Sequence, residues 1–252
     1  MRFAGTGSAP IPPQLIEWYK SLGLELLEGY GMSENFAYSH ISMPGKTRVG
    51  YVGNVYPGVE HRISEQGEIL VKSPGNTMGY YKADELTKDL FTEDGFVKTG
   101  DRGEIDDQGR LKITGRVKEL FKTSKGKYVA PAPIENKLLA SNLAEQACVS
   151  GSGHPQPYAL IVLPEDLRDK LSKNEIDKNE ITSRLSETFD SLNGSLDQHE
   201  KLQFMVVVKE PWAIENGFLT PTMKVKRARV EEVYTPLSEN WYGQKDSLIW
   251  EN

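Results

Sequence analysis

A change in sequence pattern near residue 116 is the feature that most constrains the fold of this chain. From about Val49 to Thr114, short strand-like segments are separated by glycine and proline: "VGYVG", "VEHRIS", "EILVKS", "GYY", "GFVKTGD", "GEI" and "RLKIT". After Arg116, helical segments such as "APIENKLLAS" alternate with apolar segments such as "PYALIVL". These patterns favour different folding units, because strands joined by turns and helices layered on strands bury their apolar faces differently.

The first 48 residues favour a helix followed by a strand. "PPQLIEWYKSLG" carries Leu15, Trp18, Tyr19 and Leu22 at the spacing of one helix face, which predicts a short amphipathic helix. "LELLEGYG" then indicates a strand that runs into a loop. We therefore predict an α/β and α+β protein with three regions: residues 1–48 as the end of a layered α/β subdomain, 49–116 as a small β-barrel-like subdomain, and 117–252 as a C-terminal α+β domain.

The composition excludes several classes of protein. With 36 acidic and 30 basic side chains the net charge is −6, which gives no indication of a nucleic-acid surface or a polybasic membrane patch. No apolar run has the length of a membrane span, and "MRFAGTGSAP" lacks the layout of a secretory signal. We expect a cytoplasmic protein without evident membrane contact. The one cysteine, Cys148, excludes an intramolecular disulfide and is predicted to be a buried strand residue.

Two loops in the first region are candidates for ligand binding. "GTGSAP" (5–10) places two glycines and a serine before a helix, where backbone amides can approach an anionic ligand. "EGYGMSEN" (28–35) joins an aromatic ring, a hydroxyl and a carboxylate at the end of a predicted strand. Ser33 could donate to a phosphate oxygen, and Glu34 could ligate Mg²⁺. An ordinary exposed loop is the alternative for both segments.

Two later segments carry the remaining charged candidates. In "KTGD" and "TGRVKE", Asp101 could accept from two ribose hydroxyls while Arg116 donates to sugar or phosphate oxygens; an ion pair across a hairpin is the alternative. "GFLTPTMKVKR" (217–227) ends in Lys224, Lys226 and Arg227, and a basic surface turn before a helix is its alternative. Singly, none of these segments decides the function.

Taken in order, the segments resemble the adenylate-forming enzymes, the superfamily of acyl-CoA synthetases, peptide-synthetase adenylation domains and luciferases. The resemblance rests on "GTGSAP", "EGYGMSE", "GEILVKSPGNTMGYYK", "DGFVKTGD", "ITGRVKE" and "LTPTMK", which span nearly the whole chain. "KELFKTSKGKYVAPAPIEN" and "LTPTMKVKR" are most similar to the long-chain acyl-CoA synthetase branch. In many other branches a glycine precedes the final lysine, and here Met223 takes that place.

The resemblance implies a role for each candidate residue. Glu34 and Lys224 would be catalytic, with Glu34 holding Mg²⁺ and Lys224 bonding acid and phosphate oxygens during adenylation. Lys118 would be the hinge about which the C-terminal domain turns, and this turn would bring "TSKGK" (123–127) towards the pantetheine of CoA. Contacts to ATP, AMP or CoA would come from Gly7, Ser8, Tyr30, Gly31, Ser33, Asp101, Arg116, Ser124, Lys125 and Gly126.

The implied activity is the ATP-dependent ligation of a long-chain fatty acid to CoA through an acyl-adenylate. The family's larger first half, with its phosphate loop and most of its acyl tunnel, has no counterpart here. We therefore expect a C-terminal portion, either truncated or an incomplete gene product, that is inactive alone. A non-catalytic nucleotide-binding or interaction module is one alternative. An enzyme that passes the acyl group to a carrier protein is another, although the hinge segment between Thr114 and Pro131 carries no insertion, which favours CoA.

Overall fold

The computed structural model describes residues 3–8 and 11–251. The chain divides into two compact units between Glu119 and Leu120. The first unit ends in a short 3₁₀ helix, Val117–Glu119. Within the described ranges, no helix is both long enough and apolar enough to cross a lipid bilayer.

The first unit begins with a helix between two parallel strands. These elements are β1 (Phe3–Thr6), α1 (Pro13–Ser21) and β2 (Glu25–Tyr30). Two short antiparallel strands, β3 (His40–Ile41) and β4 (Asn54–Val55), extend the sheet in the order β1-β2-β3-β4. Because β1 and β2 are parallel neighbours, the loops that follow them leave the same edge of the sheet.

The predicted helix forms, but its predicted apolar stripe is not buried. Leu15, Trp18 and Leu22 are 39%, 53% and 63% exposed, whereas Ile16 is 5% exposed. α1 lies against β2, and a helix that contacts one strand pair buries only a narrow face. The predicted helix is confirmed, and Ile16, which lies outside the predicted face, is its buried residue.

The second sheet is antiparallel and curls into a half-barrel, which confirms the predicted barrel-like subdomain. Its strands are β5 (Glu60–Ile63), β6 (Glu68–Lys72), β7 (Val97–Ile105) and β8 (Leu111–Arg116). "GFVKTGD" and "GEI" form one strand, β7, with a register shift between Arg102 and Gly103. The strands predicted at "VGYVG" and "GYY" do not form. A helix that the sequence did not predict, α2 (Asp84–Leu90), follows the second of these segments.

The second unit begins with a small hairpin and continues as a mixed sheet with helices on both faces. Its elements are β9 (Phe121–Lys122), β10 (Tyr128–Val129), α3 (Pro131–Leu139), β11 (Gln146–Ser150), β12 (Tyr158–Val162), α4 (Glu165–Ser172), α5 (Lys178–Gly194), β13 (Met205–Val207), α6 (Arg227–Tyr242) and β14 (Leu248–Trp250). The sheet order is β11-β12-β13-β14, with β11 antiparallel to β12 and the other neighbours parallel. This α+β unit agrees with the predicted fold class.

Alternate residues of β11 point into two different cores. Val149 belongs to the core that includes Ile134 of α3 and Leu185 of α5. Cys148 belongs to the core that includes Val230 and Tyr234 of α6. Cys148 is fully buried in a strand, as predicted. A strand buried on both faces has a continuous apolar sequence, which is why "ACVS" and "YALIV" show no alternation.

Candidate functional site

The glycines of the two candidate loops lie close to other backbone, Gly7 to strand β2 and Gly31 to its own loop. A Cβ atom added to Gly7 would lie 3.0 Å from the carbonyl oxygen of Gly29, so a side chain at Gly7 would crowd the neighbouring strand. A Cβ atom added to Gly31 would lie 2.6–2.8 Å from backbone atoms of Ala37, because the loop after β2 folds back on itself. Ser8 is exposed, with a φ of 69°. Ala9 and Pro10 of "GTGSAP" lie outside the described residues.

Tyr30, Asp101 and Arg116 meet around one carboxylate. The Tyr30 hydroxyl donates to Oδ2 of Asp101 at 2.7 Å, and Nε of Arg116 lies 3.0 Å from Oδ1. Asp101 and Arg116 are register partners on β7 and β8, which accounts for the ion pair that the sequence offered as the plain alternative. Burial, and then the Asp101 carboxylate, raise the pKa of Tyr30, so its hydroxyl remains protonated and donates.

The backbone before Asp101 is fixed by a network within the sheet. Thr99 donates its hydroxyl to the carbonyl of Ile69 at 2.7 Å and accepts from the amide of Asp101 at 3.1 Å. Gly100 has a φ of 72°, a left-handed conformation that favours glycine, and its amide donates to Oε1 of Glu68 at 2.8 Å. The "TGD" segment therefore holds the Asp101 carboxylate in a defined direction.

The carboxylate of Glu34 lies at the start of the loop after β2. Ser33 and Glu34 form a 3₁₀ turn with Asn35, and the hydroxyl of Tyr80 donates to Oε1 of Glu34 at 2.7 Å. This hydrogen bond raises the pKa of Tyr80. Among the described residues, no group of three or more His, Cys, Asp or Glu side chains could hold a metal ion. One carboxylate fits Mg²⁺ only when substrate phosphates supply further ligands, as is usual for this ion.

A buried histidine, His40, lies beside Tyr30 and contacts the half-buried His61. His40 is 1% exposed, and its Nε2 lies 2.8 Å from Nδ1 of His61, while its Nδ1 lies 2.8 Å from the hydroxyl oxygen of Ser39. The ring centroids of His40 and Tyr30 are 5.9 Å apart. Burial, and then His61, lower the pKa of His40 to about 3. The neutral His40, whose two ring nitrogens both have hydrogen-bond partners, packs behind the site. On the neighbouring strand β2, burial raises the pKa of Glu28 to about 7.

In the second unit, "TSKGK" forms the tip of the β9–β10 hairpin. The amide of Ser124 donates to the carbonyl of His154 at 2.9 Å, and the amide of Gly153 donates to the carbonyl of Lys122 at 2.9 Å. These two hydrogen bonds fix the hairpin to the segment at 153–154. Gly126 has a φ of 79° and closes the turn. Ser124, Lys125 and Gly126 are exposed there, where a ligand can reach them.

Lys224 lies in a second hairpin of the same unit. The Lys224 hairpin, residues 218–226, contains a strand bridge between Leu219 and Val225 and a hydrogen bond from the amide of Thr220 to the carbonyl of Lys224 at 2.8 Å. Met223 has a φ of 62°, the left-handed conformation that glycine adopts most easily. Lys118, the predicted hinge, is exposed in the 3₁₀ helix that ends the first unit.

Family models cover most of this chain. A model described as AMP-binding enzyme matches residues 1–81, and a model described as AMP-binding enzyme C-terminal domain matches residues 119–246. The chain belongs to the AMP-binding enzyme family. The family recognised from its motifs is thereby confirmed.

This AMP-binding chain is similar to long-chain acyl-CoA ligases. It is 34% identical over 255 residues to a Mycobacterium bovis protein named long-chain-fatty-acid–CoA ligase FadD15, covering 97% of this chain and 42% of that protein. It is 29% identical to Arabidopsis thaliana long chain acyl-CoA synthetase 7, peroxisomal, covering 97% of this chain and 39% of the relative. The chain thus spans about two fifths of the length of these curated relatives.

A solved structure has the same fold. The A-PCP didomain of carboxylic acid reductase from Segniliparus rugosus, in complex with AMP, superimposes with a TM-score of 0.75 at 28% identity. The match covers 96% of this chain and 34% of the reductase chain. The mixed α/β fold predicted for this AMP-binding chain is therefore confirmed.

Sequence reasoning missed several residues that position the site of this AMP-binding chain. Tyr80 lies within the motif "GEILVKSPGNTMGYYK", yet its spacing gave no sign that its hydroxyl reaches Glu34. Thr99 and Glu68 fix the backbone around Asp101. A hydroxyl two residues before a carboxylate is a local signal for such a turn and could have identified Thr99. Glu68 is brought in by strand pairing, which no local pattern reports.

Proposed function

We propose that this chain is the C-terminal portion of an ATP-dependent long-chain fatty acid–CoA ligase. The observation that carries the proposal is the meeting of Tyr30 and Arg116 at the carboxylate of Asp101. An aromatic ring, a carboxylate and a guanidinium together suit a nucleoside monophosphate, because they complement the base, the ribose hydroxyls and the phosphate. The long-chain fatty acid is proposed from the names of the matched relatives.

The proposed reaction has two steps. First, a carboxylate oxygen of the fatty acid attacks the α-phosphorus of ATP, and the bond from that phosphorus to pyrophosphate breaks. Then the sulfur of CoA attacks the acyl carbonyl, the bond to the AMP oxygen breaks, and the thiol loses its proton. Two anions must approach each other in the first step, so positive groups that stabilise the added charge lower the barrier.

Residues of the first unit would bind the nucleotide. Tyr30 lies against the adenine, Asp101 accepts from the ribose hydroxyls, and Arg116 donates to sugar or phosphate oxygens. Ser33 donates to a phosphate oxygen. Gly7, Ser8 and Gly31 leave room for the ligand to approach the backbone. Glu34 would hold Mg²⁺, which when bound offsets the negative charge of the phosphates.

Residues of the second unit would serve the two steps separately, and Lys118 at the end of the first unit would allow the exchange between them. Lys224 donates to the acid and phosphate oxygens during adenylation. Ser124, Lys125 and Gly126 contact the pantetheine of CoA during thioester formation. Lys118 is the hinge for the rotation that exchanges one surface for the other, a change of the hinge type. The division of the chain between Glu119 and Leu120, next to this lysine, supports that role.

Two other functions have specific support. Likeness to a carboxylic acid reductase didomain favours, as the second candidate, transfer of the acyl group to a carrier protein in place of CoA. A non-catalytic nucleotide-binding module would also keep Tyr30 and Asp101. Such a module would have no use for Lys224 or Glu34. The predicted cytoplasmic location stays a prediction, and one matched relative is named peroxisomal.

A chimera tests the proposed activity. Residues 3–251 replace the matched segment of the Mycobacterium bovis ligase, and pyrophosphate exchange and acyl-CoA formation are measured with fatty acid, ATP, Mg²⁺ and CoA. We expect both activities, and we expect Lys224→Ala to abolish exchange while Lys209→Ala, at another lysine of the second unit, does not. An active chimera that makes thioester on a carrier protein and none on CoA would favour the second candidate. Exchange unaffected by Lys224→Ala would contradict the proposed role of that residue.

A further inference from the structure

The Lys224 hairpin is attached to its unit at both arms. On the incoming arm, Phe218 and Leu219 are 5% and 0% exposed and belong to the core beneath α6. On the outgoing arm, the amide of Lys226 donates to the carbonyl of Phe218 at 2.8 Å, and the next residue is Arg227, the first of α6. Whatever holds Arg227 therefore holds the arm that leads from Lys224.

Arg227 makes a largely buried, forked set of contacts that the proposed mechanism does not use. Its Nη2 lies 2.6 Å from Oε1 of Glu135 on α3, and the two side chains are 17% and 13% exposed. Its Nη1 donates to the carbonyl of Val149 at 2.8 Å and lies 3.3 Å from Sγ of Cys148. The fork of a guanidinium can make such contacts to two elements at once, whereas an ammonium cannot.

Glu135 completes the arrangement from the other side. Its Oε1 also accepts from the amide of Val149 at 2.7 Å. β11 is an edge strand, paired only with β12, so the backbone of Val149 presents its amide and carbonyl to side chains. Glu135 takes the amide and Arg227 takes the carbonyl. The ion pair thus occupies the strand edge and joins α3, β11 and the start of α6.

The position of Arg227 does not serve the helix that it begins. Lys226 is the N-cap of α6 and Arg227 its first residue, and the helix has no acidic residue in its first turn and no side-chain cap. Cations at a helix N-terminus oppose the helix dipole, so this placement costs stability there. The benefit of Arg227 lies in its contacts to Glu135 and Val149.

We propose that the Glu135–Arg227 ion pair is a positioning device that fixes the Lys224 hairpin on its unit. The proposal rests on the proposed function of Lys224 and adds two residues that act through it. The pair holds the outgoing arm at the edge of β11, so the lysine at the tip is presented in one orientation. Without the pair the outgoing arm loses its contact to the edge of β11, so the hairpin samples several orientations while Phe218, Leu219 and Val225 keep it on the core.

The test measures peptide-resolved amide hydrogen exchange in this chain for wild type, Arg227→Gln and Glu135→Gln. Exchange in residues 218–226 should accelerate on the order of tenfold or more in both variants, because a buried charge-assisted contact is lost. Residues 121–129, whose hairpin is held by other contacts, serve as the internal reference and should not change. Arg227→Lys, which keeps the charge and loses the fork, should fall between wild type and Arg227→Gln.

A control elsewhere in the same unit separates position from charge. Lys170 pairs with Asp166 on the surface of α4 at 3.6 Å, with side chains 50% and 67% exposed, so Lys170→Gln removes an exposed cation without touching β11 or the Lys224 hairpin. Exchange in this control should match wild type. Unchanged exchange in residues 218–226 of Arg227→Gln would overturn the proposal. Acceleration throughout the second unit in both Arg227→Gln and Arg227→Lys would also overturn it, because the pair would then support the whole unit.

The chimera separates failure of this proposal from failure of the proposed function. In an active chimera, Arg227→Gln should lower the maximal rate of pyrophosphate exchange on the order of tenfold and leave the KM for ATP unchanged, because Lys224 acts on the reacting groups. An unchanged rate with a loosened hairpin would overturn the positioning role. If the chimera with the native Arg227 shows no exchange, the proposed function fails, and the amide exchange experiment still decides whether the pair holds the hairpin.

Discussion

Tyr30 donates its hydroxyl to Asp101 at 2.7 Å, and this bond joins the end of β2 in the first sheet to β7 in the half-barrel sheet. The two residues are 71 positions apart in the chain. The aromatic ring and the carboxylate are therefore brought together by tertiary structure, since Tyr30 ends β2 and Asp101 lies within β7 of a different sheet. In the proposed function, both side chains contact the same nucleotide.

Arg116→Ala should separate ligand binding from stability. The Arg116 side chain is 56% exposed, so its ion pair with Asp101 contributes at most about 1 kcal/mol to the free energy of unfolding. Adenylate affinity should fall roughly tenfold, the size of a lost charge-assisted contact. Urea unfolding and calorimetric titration measure the two effects. Arg62→Ala, at an arginine of similar exposure that pairs with Asp94, should leave affinity unchanged.

Tyr30→Phe should lower the stability of the first unit by about 1 kcal/mol, because the Asp101 carboxylate loses a short hydrogen bond. Peptide-resolved hydrogen exchange in urea reports the unfolding of this unit separately from that of the second. Tyr38→Phe removes a longer, more exposed bond to the carbonyl of Pro57, 3.2 Å, and should cost less. An equal loss of stability in both variants would mean that the Tyr30–Asp101 hydrogen bond contributes no more than the one from Tyr38 to Pro57.

Local sequence signals predicted much of this architecture, and non-local contacts account for the errors. The hairpin from β7 to β8 was predictable because "DDQG" is a turn between two β-prone segments, and it pairs Asp101 with Arg116. The burial of Cys148 followed from its apolar segment. The exposed stripe on α1 was not predictable, since helical spacing reports a face and does not report what covers it.

The sequence predicted which residues belong to the candidate site, but it did not predict which side chains contact one another there. Family motifs gave Tyr30, Glu34 and Asp101, but the hydroxyl of Tyr80 reaches Glu34 across 46 positions, a distance that no sequence period reports. The backbone conformation of Met223 was likewise not predictable from the sequence. The sequence marks it only as a replacement for glycine, and the structure shows that the backbone keeps a left-handed φ of 62° despite the side chain.

Glu28→Gln should stabilise the first unit at high pH. Burial raises the folded-state pKa of Glu28 from 4.5 to about 7, so the folded protein holds the proton more tightly than the unfolded chain. The free energy of unfolding therefore falls as pH rises from 4.5 to 7, and the glutamine variant avoids this loss. We expect a gain of up to about 3 kcal/mol at pH 8 and little gain at pH 4, measured by hydrogen exchange in urea.

Glu25→Gln, on the same strand, is the control of opposite sign. The amide of Gly45 and the hydroxyl of Thr47 lower the pKa of Glu25, so its carboxylate favours the folded state above the unfolded pKa. The glutamine variant should lose stability at pH 8 and lose little at acid pH. Stability changes that do not depend on pH in either variant would contradict this account.

His40 should make the first unit sensitive to acid. The unfolded chain takes up a proton at His40 near pH 6.5, while the folded protein does so only near 3, because burial and then His61 disfavour the charged ring. The free energy of unfolding therefore falls as pH drops from 6.5 towards 3. His40→Gln should show a shallower fall between pH 6 and 4, in the same exchange measurement. An identical slope in wild type and variant would show that His40 does not titrate as described.

The most direct test of the nucleotide site is a calorimetric titration of this chain with a non-hydrolysable acyl-adenylate analogue and Mg²⁺. Wild type should bind, Asp101→Asn should lose at least roughly tenfold in affinity, and Asp94→Asn, at an exposed ion pair in the same unit, should bind like wild type. Equal affinity of wild type and Asp101→Asn, or no binding by the folded wild-type chain, would contradict the claim that Tyr30, Asp101 and Arg116 form a nucleotide site in these residues.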